Sequence, residues 1–197
     1  MTAPGRAGAP SRAIDRLFAR WTREVPEISR AGAAVTILLR EGQSEVETLL
    51  IERAVRVGDL ASGQVGLPGG HVESRDPSLA DTALRELDEE VGLVADDLES
   101  LPRFLFVQPA PIFGLDVAVF AAPLRQTGRP PTVRSPREVA HVFWLPAATL
   151  HDPKRILRET PAGPREVDAL LHDGHVIWGF TLKVLRRFFD SETRGRG

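Results

Sequence analysis

The order of periodic segments along this 197-residue chain predicts an α+β fold built on a mixed β-sheet. Three observations carry that reading. An amphipathic stripe opens the chain and a second closes it; most of the strand candidates lie between them; and strands do not alternate regularly with helices, which excludes a doubly wound parallel sheet. With 42% apolar and 26% charged residues the chain has material for one sizeable core. One domain is expected over residues 11–190, flanked by tails at 1–10 and 191–197.

The elements follow in order. Ser11 is placed to cap a helix over 11–22, in which Ala13, Ile14, Leu17, Phe18 and Trp21 recur at three-and-four spacing before Pro26. Ala33 to Leu39 and Val46 to Ile51 are β-rich runs joined by the polar segment Arg40 to Glu45, and so read as a hairpin. Arg53 to Gly70 is Gly-rich and irregular, apart from a short apolar piece at Val65 to Leu67. A helix is predicted from about Pro77 to Val91, started by Asp76-Pro77-Ser78 and stopped by Gly92. Leu105 to Val107, Leu115 to Ala121 and Val139 to Leu145 read as strands, with a loop over Arg125 to Arg137. A polar, Pro-interrupted stretch follows. The chain then closes with a helix expected over Val176 to Phe189, marked by Ile177, Phe180, Val184, Leu185 and Phe188.

Composition removes several function classes. The formal net charge of −2 offers no basic field for nucleic acid or an anionic membrane. No apolar run approaches the roughly 20 residues of a membrane-spanning helix. The absence of Cys excludes disulfides, thiolate metal sites and a thiol nucleophile, so a metal would be held by oxygen or imidazole. The cytoplasm is the expected location, and the partner expected is a small molecule; oligomeric state is not legible.

The segment Arg85-Glu86-Leu87-Asp88-Glu89-Glu90-Val91-Gly92-Leu93 is the most informative. At about 100° per residue, Glu86, Glu89 and Glu90 share one arc of the helix, while Ala80, Leu84, Leu87 and Val91 cluster opposite. Three like charges on one face, with no interleaved cation, cost a few tenths of a kcal/mol per pair. A hard divalent cation, Mg²⁺ or Mn²⁺, explains the expense, since such ions take oxygen ligands and leave positions for water and phosphate. A solvated acidic face is the plain alternative. Arg85, four residues before Glu89, is placed to orient the carboxylates. The segment also follows Leu67-Pro68-Gly69-Gly70 and a capped helix start.

Gly70 through Leu93 resembles the signature box of the Nudix hydrolases, matching it at Arg85, Glu86, Leu87, Glu89, Glu90, Gly92 and Leu93. The resemblance implies an α/β/α sandwich that uses Mg²⁺ or Mn²⁺ to cleave nucleoside diphosphates linked to another moiety. The stretch from Gly70 to Arg85 is one residue longer than the general pattern. Pro77 therefore stands where the first Glu of the box would fall, and Glu73, Asp76 and Asp81 are the candidates to replace it. A lengthened box resembles the coenzyme A pyrophosphohydrolase subgroup. So does the segment Leu49-Leu50-Ile51-Glu52-Arg53-Ala54 with Gly63-Gln64-Val65-Gly66-Leu67-Pro68-Gly69-Gly70, which departs at Ile51, at Leu67 and in having no Arg at Gly58 or Asp59. The resemblance runs from about Ala33 to Phe189 and leaves the N-terminal helix outside.

On this basis Glu86, Glu89 and Glu90 are expected to hold the metal, with the Gly70 carbonyl implied as a further ligand. Glu138, after the Arg125 to Arg137 loop, is implied as general base, an ordinary strand-start Glu being its alternative. Arg53 and Arg56 suit phosphate oxygens through their guanidinium forks, and Gly69 and Gly70 permit close backbone approach to a ligand. Trp144 and Trp178 could stack an adenine, but in apolar runs such as these core packing is the expected role. The reaction implied is hydrolysis of coenzyme A or its thioesters to adenosine 3′,5′-bisphosphate and 4′-phosphopantetheine. Its rivals are another nucleotide substrate, such as ADP-ribose, a dinucleotide or a nucleoside triphosphate, and a non-catalytic nucleotide-binding module.

Overall fold

The computed structural model of the chain describes residues 12–19, 21, 31–58, 61–160 and 163–190. The expected tails, the Ser11 cap and Asp59 lie outside the described residues. The elements are α1 (Arg12–Phe18), β1 (Ala33–Glu41), β2 (Val46–Arg53), β3 (Val65–Gly66), β4 (Gly69–His71), α2 (Leu79–Val91), β5 (Arg103–Ala110), β6 (Leu115–Pro123), β7 (Val139–Pro146), β8 (Lys154–Arg158), β9 (Arg165–His172), β10 (His175–Trp178) and α3 (Gly179–Phe189). None of these helices is long and apolar enough to cross a membrane.

Seven strands make one mixed sheet. Its path runs β3, β2, β1, β6, β5, with β7 added to β2 and β4 added to β1. β1 and β6 pair in parallel, whereas β1 with β2, β2 with β7 and β5 with β6 are antiparallel. Strand periodicity decides which helix each side chain meets. Ile37, Leu39 and Leu50 point to the face covered by α3 and α1, among Leu182, Leu185, Phe188, Leu17 and Phe18. Their neighbours Leu38, Leu49 and Ile51 point to the other face, against Leu87 and Val91 of α2. Helices on both faces of a mixed sheet give the α/β/α sandwich expected from the sequence.

The boundaries differ from expectation in instructive places. The expected helix over 176–189 begins only at Gly179, because His175–Trp178 pairs antiparallel with β9. The turn between those strands is Asp173-Gly174, both with positive φ (46° and 83°), a two-residue hairpin signal embedded in what reads as a polar linker. β8 pairs with β9, completing a three-stranded sheet that sequence periodicity does not reveal. α1 ends at Phe18, and Trp21 follows a turn in which its N–H donates to the Phe18 carbonyl, leaving its ring on Phe106 and Phe188. Pro77 lies just outside α2, whose cap is Ser78.

Candidate active site

The α2 segment is fixed at both ends. The Ser78 hydroxyl oxygen accepts the Asp81 N–H, and Gly92, with φ 72°, donates to the Asp88 carbonyl while Leu93 N–H reaches Leu87 O. That pair of reversed bonds terminates the helix at a residue free of a Cβ penalty. The plain alternative, a solvated acidic face, does not hold for two of the three carboxylates. Glu86 and Glu90 are only 9% and 2% exposed, while Glu89 stays partly exposed.

What covers them is β4, which lies antiparallel on β1 with Gly69 opposite Val35 and Gly70 opposite Ala34. The Gly69 N–H donates to Glu90 Oε2 at 2.9 Å. A Cβ on Gly70 would sit 2.4 Å from Glu86 Oε1, so only glycine lets this backbone rest on the carboxylate. Gly69 has φ 152°, and a Cβ there would strike the Ala34 carbonyl at 2.3 Å.

Arg85 organises the other side. Its Nη1 donates to Glu86 Oε1 at 2.8 Å and Glu89 Oε2 at 2.9 Å, and its Nη2 donates to the His71 carbonyl. Asp76 grips the same guanidinium in a two-point fork, Nε to Oδ1 and Nη2 to Oδ2, each 3.0 Å. The Asp76 carboxylate also accepts the Glu73 N–H and the Thr82 hydroxyl. Of the three acids placed near the lengthened part of the box, Asp76 therefore meets Arg85 most fully. Glu73 stands 3.6 Å from Arg85 and pairs with Arg75, which also holds Glu89, and the Asp81 carboxylate accepts the Ser78 hydroxyl proton.

These contacts set the acidities. The Arg85 guanidinium, aided by the Glu73 N–H and Thr82, holds Asp76 down to about 2. Burial pushes Glu86 up, against the pull of Arg85. Burial pushes Glu90 up to about 8; the Gly69 N–H and the charge of Arg53 oppose that rise, and Glu86 and Glu138 add to it. Arg53 and Glu138 thus lie within electrostatic reach of Glu90. The backbone explains why: Arg53 faces Val139 across the β2–β7 ladder, and Ala54 N–H donates to the Glu138 carbonyl. Arg56 reaches the same mouth, its Nη2 being 3.8 Å from Glu138 Oε1 with both side chains substantially exposed.

The expected residues are therefore gathered at one end of the sheet, but not drawn to one point. Among the described residues no three acidic or imidazole groups converge as a ready metal cluster. Arg85 occupies two of the three carboxylates, and Glu90 turns to Gly69. The donor chemistry nonetheless suits a hard dication. All donors are oxygen, and burial and mutual repulsion both disfavour the charged forms of Glu86 and Glu90, penalties that a bound cation removes. Trp144 and Trp178 are half-buried, at the sheet and at the start of α3.

The Asp76–Arg85 fork leads to a stability prediction. A carboxyl held below its unfolded value contributes stability that is present above about pH 4 and lost as pH falls toward 2. Asp76→Asn should therefore lower the stability at neutral pH by about 2–3 kcal/mol, the free-energy equivalent of a shift from 3.8 to about 2, and with it the melting temperature. The gap from wild type should close in thermal melts taken toward pH 2.

A family model described as the NUDIX domain matches residues 30–165. Nudix hydrolase 15, mitochondrial, of Arabidopsis thaliana is 31% identical over 171 residues, 79% of this chain but 56% of the relative, so the chain spans little more than half of that protein. The uncharacterized Nudix hydrolase NudL of Salmonella paratyphi B is 31% identical over 184 residues, covering 88% of this chain and 91% of its own length. Among solved structures, a MutT protein from Methanosarcina mazei Go1 superposes with TM-score 0.54 at 17% identity, covering 88% of this chain and 99% of that one. The Nudix hydrolase RenU from M. smegmatis gives 0.53 at 20% identity, with 85% and 89% covered. At these identities the two structures establish the fold alone.

Proposed function

From the premise that the chain belongs to the Nudix domain family, we propose that it is a divalent-metal-dependent hydrolase of nucleotide pyrophosphates, and that its substrate is coenzyme A or an acyl-coenzyme A. The products are adenosine 3′,5′-bisphosphate and 4′-phosphopantetheine or its acyl form. One observation carries the hydrolase reading: the buried pair Glu86 and Glu90, roofed by Gly69 and Gly70 and within electrostatic reach of Arg53 and Glu138. A non-catalytic binding module has no use for two mutually repelling carboxylates in a buried position.

Glu86, Glu89, Glu90 and the Gly70 carbonyl are the ligands proposed for Mg²⁺ or Mn²⁺, which supplies phosphate charge neutralisation and a water of lowered pKa. Arg85, locked by Asp76, fixes the rotamers of Glu86 and Glu89. Arg53, whose charge acts on Glu90, holds the pyrophosphate oxygens, and Arg56 adds a second cation at the mouth. Glu138 lies at the rim, exposed enough to exchange protons with solvent, and takes the proton from the attacking water.

The coenzyme A assignment rests on the lengthened box and on the segment from Leu49 to Gly70. A second reading, hydrolysis of ADP-ribose, a dinucleotide or a nucleoside triphosphate, is favoured by the departures at Ile51 and Leu67 and by the missing second Arg. Steady-state kinetics on coenzyme A, dephospho-coenzyme A and ADP-ribose separate the two. Coenzyme A should give the highest kcat/KM. Because Arg53 lies within electrostatic reach of Glu90, Arg53→Ala should lower kcat/KM about ten- to hundredfold, the size of a hydrogen bond to a charged group. Coenzyme A and its dephospho form should suffer alike. A loss confined to coenzyme A would move Arg53 to the 3′-phosphate, and faster cleavage of ADP-ribose would overturn the coenzyme A assignment.

A further inference from the structure

A groove of about 930 Å³ opens on the α2 side of the sheet, at the end opposite the carboxylates. Its floor is Leu49, Val142 and Trp144, and its walls are the β1–β2 turn and the segment from Leu124 to Pro131. It is not an extension of the site already described. Leu49 and Arg53 are four residues apart on β2, roughly 13 Å at the rise of a strand. The sheet face between them is filled by Ile51, Leu87, Val91 and Val139, none more than 1% exposed.

The indole of Trp144 is half-buried and presents a face to the groove, where the planar guanidinium of Arg40 lies 4.0 Å from the ring centroid. Arg40 is held there by Glu47, Nε to Oε2 at 2.6 Å, so a ring that stacks on the indole has to displace this partly exposed ion pair. Two further arginines are pinned at the opposite wall. Arg125 Nε donates to the Asp96 carbonyl at 2.9 Å, and Arg129 donates through Nη2 to Asp97 Oδ2 at 3.0 Å. Asp97 is buried, and its carboxyl is held down by the Val94 N–H and by Arg129, so this anchor is rigid. Both arginine side chains remain exposed on their outward edges. Glu41 and Glu47 add acceptors at the rim.

A π-face, two pinned guanidinium groups and carboxylate acceptors match, respectively, a flat heterocycle, a phosphate and an exocyclic amino group. We propose that this groove is a second binding site, separate from the carboxylates, for an adenine nucleotide, whose base takes the place of Arg40 on Trp144 and whose phosphate is held by Arg125 and Arg129. The inference is independent of the hydrolase reading, because it uses none of the residues assigned to hydrolysis.

Calorimetric titration with AMP in the presence of a chelator tests it, since AMP has no pyrophosphate to be cleaved and the carboxylates then carry no cation. The full-length protein should bind one AMP per chain. Binding should be unchanged in the Glu86→Gln, Glu90→Gln variant and weakened about ten- to hundredfold in Trp144→Leu, the range of a lost base–aromatic stack. Arg125→Ala, on the exposed rim, gives a readout that does not depend on repacking the sheet: it should weaken AMP and leave adenosine unaffected. Trp144→Leu should keep the wild-type rate of hydrolysis. Absence of AMP binding at millimolar concentration overturns the proposal, as does wild-type affinity in Trp144→Leu or in Arg125→Ala, or binding that disappears only with the carboxylates.

Discussion

Glu90→Gln, alone or with Glu86→Gln, is expected to lower turnover by at least about a hundredfold, the scale of losing one preorganised charged group from a reaction centre. The same change should not cost stability. Glu90 is 2% exposed, and burial lifts its pKa to about 8 in the metal-free protein. A carboxyl raised in this way contributes stability that is fully present below its unfolded value near 4.5 and is lost as pH rises through about 8. Metal-free wild type should therefore lose thermal stability between pH 5 and pH 9, whereas Glu90→Gln, neutral throughout, should follow a flatter curve and exceed wild type at pH 9. Loss of activity together with a gain in metal-free stability separates a functional charge from a structural one. The same linkage requires affinity for Mg²⁺ or Mn²⁺ to rise with pH up to about 8, since binding displaces a proton.

Alanine at the two adjacent glycines should give opposite phenotypes. At Gly69 the new Cβ meets backbone, the Ala34 carbonyl at 2.3 Å and Val35 Cα at 2.6 Å, in a φ of 152° that side chains rarely adopt. Nothing there can yield cheaply, so Gly69→Ala should destabilise by several kcal/mol, on the scale of overpacking plus backbone strain. At Gly70 the Cβ meets only the carboxylate of Glu86, the far end of a flexible side chain. Gly70→Ala should fold with nearly wild-type stability and lose most of its activity, because Glu86 is pushed off its place beside Arg85. Thermal melts and turnover measured on the same two preparations check this. If both variants melt alike, the account of β4 as a roof over Glu86 fails.

Much of this arrangement is legible from local pattern, and the remainder depends on contacts that local pattern does not encode. Alternation along β1 and β2 assigns Leu38 and Leu39 to opposite faces, which is why the sandwich can be anticipated. The grouping of Glu86, Glu89 and Glu90 follows from helix geometry alone. Their burial does not, since a helical projection says which residues share a face and not what covers it, and β4 comes from a Gly-rich stretch that has no strand periodicity. Asp76 is one of three acids within reach of Arg85 by count; only the path of the loop, set by the Glu73 N–H and Thr82, turns it inward. β9 and β10 are hidden because their hairpin lies between two His residues in a charged stretch, although Asp173-Gly174 is the signal that marks it. Val176 and Ile177 then fit a strand better than the helix to which their apolar period also assigns them.

Hydrolysis of a nucleotide pyrophosphate, with a divalent cation held by Glu86 and Glu90, is the activity proposed for this site. Mass spectrometry of the products from coenzyme A, dephospho-coenzyme A, ADP-ribose, a dinucleotide and a nucleoside triphosphate tests it most directly, with Mg²⁺, with Mn²⁺ and with chelator. Wild type with cation should split coenzyme A into adenosine 3′,5′-bisphosphate and 4′-phosphopantetheine, and neither the chelated enzyme nor the Glu86→Gln, Glu90→Gln variant should do so at a comparable rate. Cleavage that persists undiminished in the double variant or in chelator, or intact nucleotides throughout the panel with wild type, would contradict it.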